Sequence, residues 1–338
     1  MNAGAITTTQ RCYYLDLAKV IAMFLVIFAH LYSDDSSVRL YIHAFHMPLF
    51  FIISGIFHKE SKVVNWKRYS ITILWPTFIF IVLNVTYNLL VWGSGWNDIL
   101  KNDVLGIITG NYPRVFWFLF ALFWCKVFTD LYTRFPKPVL AIMLWGILLF
   151  VPILLNRRLP FILTQGLMAI PFYYLGFALK KPALQTKPSI RFLIPSILCM
   201  ILTVLITRFH GRVSMYGVHL GQFAQYMGIE LQEIAVPTRL CYLGVDVILF
   251  YLNGVVGSLM VIFLSLLPWP EWPAVTSLSK SLITVVGTQY FFITPITKYL
   301  GFNQPFWISC GFTIGIFFLC FVLHLALRPA YNLFSPRR

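Results

Sequence analysis

The first long apolar stretch of the chain, residues 14–32, contains three side chains that could do chemistry: Asp16, Lys19 and His30. His30 follows Lys19 by eleven residues, after which an α-helix has turned back to within about 20° of its starting direction and risen about 16 Å. Asp16 lies on the same face because it precedes Lys19 by three residues. Charged groups in hydrocarbon are costly and usually mark paired or functional positions. The spacing therefore predicts two polar sites at two depths of one membrane helix.

Each of these residues has a functional and a structural interpretation. His30 could take a proton from a hydroxyl group and return it to a leaving group near neutral pH, as acyl transfer requires. Lys19 could neutralise a phosphate or phosphopantetheine group. Alternatively, Asp16 and Lys19 form a structural ion pair, and His30 marks the polar end of the helix. The spacing alone leaves both interpretations open.

A second polar cluster begins the next apolar stretch with His43 and His46. Pro48 has no N–H and is expected to kink or start a helix there. The small residues Ser54 and Gly55 favour close helix packing. His46 could then face His30 across a narrow cavity, or both histidines could mark the polar end of the span.

The composition places these residues in a membrane protein. Hydrophobic residues make up 59% of the chain and charged residues 11%, which exceeds what a soluble core can bury. The aromatic content of 17% fits interfacial belts of Trp and Tyr. The six cysteines are scattered without metal-ligand spacing, so we predict neither a disulfide framework nor a metal site.

The apolar stretches predict an all-α fold of about ten transmembrane helices, forming one domain over residues 1–338. The ten stretches are 14–32, 43–58, 70–92, 116–134, 138–155, 161–179, 190–208, 242–267, 278–298 and 306–328. Most Lys and Arg residues fall in loops on the side of the N-terminus, so we predict that both termini are cytoplasmic. This distribution accounts for the net charge of +15 without nucleic acid.

The two polar clusters also carry a family resemblance. Asp16-Leu-Ala-Lys19 with His30 at its eleven-residue spacing, followed by the run from Phe45 to Gly55, resembles the membrane acyltransferase-3 family. Members of this family O-acylate, most often O-acetylate, surface sugars. The resemblance covers nearly the whole chain, and the first two motifs together are specific. A third motif, Phe116-Trp117-Phe118-Leu119, resembles the family's aromatic run but is weak alone.

The resemblance implies roles for individual residues and a donor, acetyl-CoA, with no bound cofactor. The implied catalytic residues are His30, His46 and Asp16. The implied substrate-binding residues are Lys19, Lys59, Lys62, Lys67, Arg68 and Trp117. The four basic residues from Lys59 to Arg68 could dock the phosphates of CoA, although the more common role of such residues individually is solvated charge that follows the positive-inside rule.

One departure from the family pattern concerns a late span. Many relatives carry a Ser-Leu pair followed by a histidine, whereas here Ser281-Leu282 leads to Thr288 and Gln289. The role of that histidine cannot be transferred to this chain. His30 and His46 are left as the candidate imidazoles.

These observations predict a multi-pass O-acetyltransferase of the bacterial cytoplasmic membrane. Its expected acceptor is a sugar hydroxyl of a cell-envelope polysaccharide or of its lipid-linked precursor, reached among membrane lipids. Transfer could be direct or could pass through an acetylated imidazole. The rival interpretation is a transporter or flippase for a glycolipid or small anion, but no inverted repeat supports it. A structural scaffold would leave Lys19 unexplained.

Overall fold

The computed structural model describes residues 12–61, 63–111, 115–135, 137–140, 142–144, 146–147, 158–210, 213–214, 217–218, 222–231 and 233–334. These residues are almost entirely helical, apart from a short hairpin that pairs Val213–Ser214 with Gly217–Val218. The helices are α1 (Tyr13–His30), α2 (Ser37–His43), α3 (His46–Ile56), α4 (Trp66–Tyr69), α5 (Trp75–Trp92), α6 (Trp96–Ile99), α7 (Gly106–Thr109), α8 (Trp117–Tyr132), α9 (Leu163–Ala178), α10 (Lys180–Gln185), α11 (Leu193–His210), α12 (Gln222–Tyr226), α13 (Val236–Ser265), α14 (Pro273–Thr288), α15 (Tyr290–Leu300) and α16 (Phe306–Phe334). Residues 70–74 join α4 to α5 through a π-helical turn.

Seven helical segments in the described part of the chain are long and apolar enough to cross a membrane. They are Tyr13–His30, Ser37–Ile56, Trp66–Trp92, Pro160–Ala178, Ile190–Phe209, Val236–Ser265 and Phe306–Leu327. The all-helical membrane fold predicted from the sequence is thus confirmed, with seven candidate spans where ten were predicted.

The three other predicted spans have different outcomes. The stretch 116–134 contains α8, which at 16 residues is shorter than the seven candidates. The stretch 278–298 is divided at Gln289 between α14 and α15. The stretch 138–155 lies largely outside the described residues, although those described between 138 and 147 are helical. Short or interrupted helices keep their place in a bundle when neighbouring helices satisfy the freed backbone groups.

Helix α1 lies at the centre of the bundle and packs against α3, α13, α14 and α16. Its C-terminal end is closed by one backbone donor and one side-chain donor. Asn303 donates its backbone N–H to the carbonyl of Leu31 at 3.2 Å, and Arg39 donates to the carbonyl of Tyr32 at 2.9 Å. These donors satisfy carbonyl groups that a helix end leaves without partners. The position of His30, the last residue of α1, is therefore well defined.

A break between α2 and α3 brings two histidines to the same place. Pro48 lies at the third residue of α3, where its missing N–H cannot continue a helix from the preceding residues. Helix α3 begins at His46 after a non-helical Phe45, as the proline predicted. Gly257 of α13 lies against the Phe45 ring, and a Cβ atom there would overlap the ring. The break is thereby held against α13.

Helices α3 and α9 cross at two glycines. A Cβ atom added to Gly55 would overlap the carbonyl oxygen of Tyr173, and one added to Gly176 would overlap the carbonyl oxygen of Ile52. Such backbone contact is the means by which small residues stabilise helix pairs in lipid. The sequence correctly indicated close packing at Gly55, while its partner Gly176 emerges only from the structure.

We predict that Gly176→Ala destabilises the bundle by about 1–3 kcal/mol or more, because backbone atoms of α3 cannot move aside as a flexible side chain would. Gly315→Ala is the matched control, since no atom lies near its added methyl group. The measurement is the melting temperature of each purified protein in the same detergent. Equal melting temperatures for the two variants would contradict the assigned α3–α9 contact.

At the end of the bundle that holds Lys19, a buried polar network joins α8 to the segment after α3. Both His58 and Asp130 are buried, and the His58 Nε2 atom lies 3.1 Å from the carboxylate. The hydroxyl of Tyr173 lies 2.9 Å from Nδ1 of His58, and that of Tyr69 donates to Asp130 at 2.7 Å. Lys180 donates to the His58 carbonyl at 2.8 Å. Every ring nitrogen of His58 thus has a partner.

Burial lowers the pKa of His58 below its ordinary value, and the nearby Lys126 ammonium group lowers it further. The unfolded chain therefore takes up a proton below about pH 6.5 that the folded protein does not, so acid destabilises the fold. We predict that the melting temperature falls between pH 7 and pH 5. The variant His58→Gln keeps a hydrogen-bond donor and an acceptor but does not titrate. We predict that it has a lower melting temperature at pH 7 and a smaller decrease in melting temperature between pH 7 and pH 5. An unchanged slope in this variant would exclude His58 as a source of the acid sensitivity.

Candidate functional site

Three imidazole rings and one phenol form a cluster at the C-terminal end of α1. The ring centres of His30 and His43 are 5.5 Å apart, and those of His43 and His46 are 4.8 Å apart. The hydroxyl of Tyr290 lies 3.1 Å from Nδ1 of His30. The prediction placed His46 opposite His30, but the structure inserts His43 between them. The cluster therefore contains three histidines rather than two.

The cluster has unused capacity for hydrogen bonding. Nδ1 of His46 lies 2.9 Å from the carbonyl oxygen of Ile42, so this nitrogen carries the proton and Nε2 is left as an acceptor. Nε2 of His43 is buried and has no hydrogen-bond partner in the described part of the chain. A buried polar atom without a partner is costly unless a ligand or water meets it. Within the same residues, no group of three or more His, Cys, Asp or Glu side chains is placed to hold a metal ion.

Tyr290 is positioned by the interruption between α14 and α15. Pro295 cannot donate to the carbonyl of Phe291 one turn earlier, and the hydroxyl of Tyr87 donates to that carbonyl at 3.0 Å instead. The side-chain amide of Asn84 donates to the carbonyl of Gly287 at 3.1 Å. Two side chains of α5 thus satisfy backbone groups on both sides of the interruption and fix the start of α15.

A cavity of about 380 Å³ opens beside Tyr290. Its polar lining residues are Asn84, Tyr87 and Asn88 of α5, Tyr290 and Thr294 of α15, and Asn102, which lies between α6 and α7. Val115 and Phe116 supply its apolar wall. Because Tyr290 lines the cavity and its hydroxyl contacts His30, a single side chain separates a ligand in the cavity from the imidazole cluster.

Asp16 and Lys19 lie far from this cluster. Asp16 is fourteen residues before His30 on α1, a rise of about 21 Å. It accepts a hydrogen bond from Ser279 at 2.6 Å and one from Lys19 at 3.3 Å. The ammonium group of Lys19 also lies 4.3 Å from the centre of the Phe57 ring, a cation–π contact. The structure thus does not bring Asp16 to the imidazoles, and its contacts fit a role in orienting Lys19.

The other predicted binding residues are distributed unevenly. Lys59, Lys67 and Arg68 are exposed near the Lys19 end of the bundle, and Lys62 lies outside the described residues. Trp117 is half-buried at the start of α8. Val115 and Phe116, the two residues before Trp117, line the cavity, but Trp117 itself does not.

The sequence did not single out Tyr290, Asn84, Asn88 or Lys126 as site residues. The signal for the two asparagines was the polar stripe Asn84, Tyr87 and Asn88, whose spacing places all three on one helical face. Tyr290 directly follows the position where relatives were expected to have a histidine, but a lone Tyr also suits an interfacial belt. Lys126 lies within 6.0 Å of the Tyr69 and Tyr173 ring centres, which only the tertiary structure reveals.

Comparison with protein families finds a match over most of the chain. A family model, Acyl_transf_3, described as an acyltransferase domain, matches residues 13–325. No curated protein and no solved structure matches the chain. The matched range covers every helix that contributes to the imidazole cluster, the cavity and the Lys19 end, and the resemblance noted in the sequence is confirmed. The chain belongs to the acyltransferase-3 family, and its apolar helices make it a membrane acyltransferase.

Proposed function

We propose that this protein is an integral-membrane O-acetyltransferase. Its proposed donor is acetyl-CoA, and its acceptor is a sugar hydroxyl of a bacterial cell-envelope polysaccharide or of the lipid-linked precursor. The observation that carries this proposal is the contact between His30 and Tyr290 at the edge of the cavity. It places a group that can accept a proton beside a space large enough for an acceptor.

The proposed reaction is a direct transfer with His30 as general base. The acceptor hydroxyl loses its proton to His30 while its oxygen attacks the thioester carbonyl. A C–O bond forms, the C–S bond breaks, and the protonated imidazole returns the proton to the leaving thiolate. His43 lies beside His30, and His46 lies beside His43, so the three rings form a chain that can share that proton. Catalysis by a positioned general base contributes about 10²–10⁴-fold to a rate.

The Lys19 end is the proposed entry for the donor. Lys19 is only partly buried, with 23% of its side chain exposed, and Asp16 and Phe57 hold its ammonium group in place. An ammonium group held in this way suits a phosphate of CoA. Lys59, Lys67 and Arg68 supply further positive charge near this end for the same anion. Since CoA is cytoplasmic, we assign this end to the cytoplasmic side of the bacterial inner membrane, which places transfer toward the outer face.

The first functional prediction is that purified protein in detergent releases free CoA thiol from acetyl-CoA when native envelope extract supplies the acceptor. We expect His30→Ala to lower this rate at least about 100-fold, because the general base is lost. His324→Ala is the matched control, since His324 contacts Thr284 and lies outside the cluster. Tyr290→Phe, which removes only a hydroxyl group, should lower the rate less than His30→Ala does.

Two results would contradict this assignment. Wild-type activity in His30→Ala at equal protein abundance would exclude His30 as the base. If the wild-type protein releases no thiol with extract present but moves substrate along a gradient in vesicles, the protein is a transporter and the proposed function is wrong.

The second functional prediction concerns Lys19. Lys19→Ala should weaken CoA binding by about 10- to 100-fold, the usual effect of losing a charged hydrogen bond, and Lys19→Arg should restore part of it. The measurement is the Kd for CoA by calorimetry in detergent. Because Lys19→Ala strands the Asp16 carboxylate, the double variant Asp16→Asn/Lys19→Ala separates anchoring from stability. Normal CoA affinity in the folded double variant would exclude Lys19 as the donor anchor.

A further inference from the structure

We propose that the cavity lined by Asn84, Asn88 and Tyr290 is the acceptor subsite and that it selects an uncharged glycosyl unit. This inference rests on the proposed function and adds to it the chemical class of the acceptor. It follows from the hydrogen-bonding capacity, charge and position of the lining side chains.

The lining offers both donors and acceptors at fixed positions. The amide nitrogen of Asn84 is already engaged, since it donates to the carbonyls of Phe80 at 3.0 Å and Gly287 at 3.1 Å. Its carbonyl oxygen is therefore the part of the side chain that can accept from a ligand. Nδ2 of Asn88 is buried without a hydrogen-bond partner in the described part of the chain, so it is a donor that a ligand can use. Neighbouring sugar hydroxyls donate and accept at once and match such a pair.

The apolar part of the cavity suits the C–H face of a sugar ring. Phe116 is buried at 1% exposure, and the Tyr87 ring packs against Phe291 with ring centres 4.7 Å apart. Since the Tyr87 hydroxyl donates to a backbone carbonyl, the orientation of this ring is fixed. The volume of about 380 Å³ lies at the lower end of the ~300–1,000 Å³ typical of small-ligand sites. The site is thus suited to a short glycosyl segment.

The charge of the lining argues against an acidic or phosphorylated sugar. Among the described residues that line the cavity, every polar side chain is an amide, a hydroxyl or a phenol. Neither Arg39, which is paired with Asp34 at 2.7 Å, nor Lys298, which lies 4.0 Å from the Trp92 ring centre, is among these lining residues. A carboxylate or phosphate placed in the cavity would lose hydration without gaining a counter-ion from the lining, which is unfavourable.

The position of Tyr290 directs one hydroxyl of the bound unit toward the base. Its own hydroxyl lies 3.1 Å from Nδ1 of His30, and its ring belongs to the cavity wall. A sugar hydroxyl that bonds to Tyr290, or displaces it from His30, is placed for deprotonation. Tyr290 is therefore a positioning residue for the acceptor.

The test combines one substitution in the cavity with analysis of the natural product. Asn88→Asp keeps the shape of the side chain but adds a negative charge and removes the free donor. We expect it to raise the KM for acceptor in native envelope extract by about tenfold or more, with the Kd for CoA unchanged. Asn97→Asp is the matched control, because Asn97 is exposed on α6 and lies outside the cavity. In parallel, NMR of envelope glycan from cells that express the full chain identifies the sugar that carries the acetyl group.

The outcomes separate this inference from the proposed function. Acetyl groups on a neutral sugar, together with a raised KM only in Asn88→Asp, support the subsite. Acetyl groups on a uronic, sialic or phosphorylated sugar, or a wild-type KM in folded Asn88→Asp, overturn it while leaving the acetyltransferase intact. Absence of any acetyl transfer by the wild-type protein overturns the proposed function and this inference with it.

Discussion

The fixed length of α1 is the constraint on which the rest of the site depends. Lys19 and His30 are eleven residues apart on this helix, a rise of about 16 Å. The segment that begins with α14 follows α1 between these ends, because Ser279 bonds to Asp16 and Tyr290 bonds to His30. The two segments therefore run in the same direction side by side and hold both polar ends at a constant separation.

Because the inside of the bundle is apolar, a helix interruption there needs another group that hydrogen-bonds to the backbone carbonyl left without a partner. An unpaired backbone carbonyl in hydrocarbon costs several kcal/mol, so a proline in a span requires a compensating donor. Tyr87 supplies that donor for Phe291, and the same face of α5 carries the two asparagines of the cavity. The break before Pro48 brings His43 and His46 together. In this bundle, polar side chains cluster at the helix interruptions.

The sequence predicted the helical membrane fold, the location of His30 and the break at Pro48, since periodicity and proline act over a few residues. It did not predict the contact of Tyr290 with His30, which joins residues 260 positions apart, because helical spacing carries no information on which helices pack together. The grouping of Asp16 with His30 and His46 as candidate catalytic residues came from a family resemblance, and the helical rise separates Asp16 from His30 by about 21 Å. The predicted count of ten spans is not confirmed, since α8 is short and the stretch 278–298 is divided between α14 and α15.

Separation of the two polar ends has a chemical consequence for the proposed acetyl transfer. Water competes with a sugar hydroxyl for a thioester, and an aqueous path past the donor would lead to hydrolysis. In the proposed mechanism the donor enters at Lys19 and the acceptor at Tyr290, and the residues of α1 between them, among them Met23, Val26 and Ile27, are shielded from solvent. Exclusion of water also strengthens each charge interaction in the cluster. A neutral acceptor is consistent with this exclusion of water, because an anionic sugar would bring its hydration shell into the site of transfer.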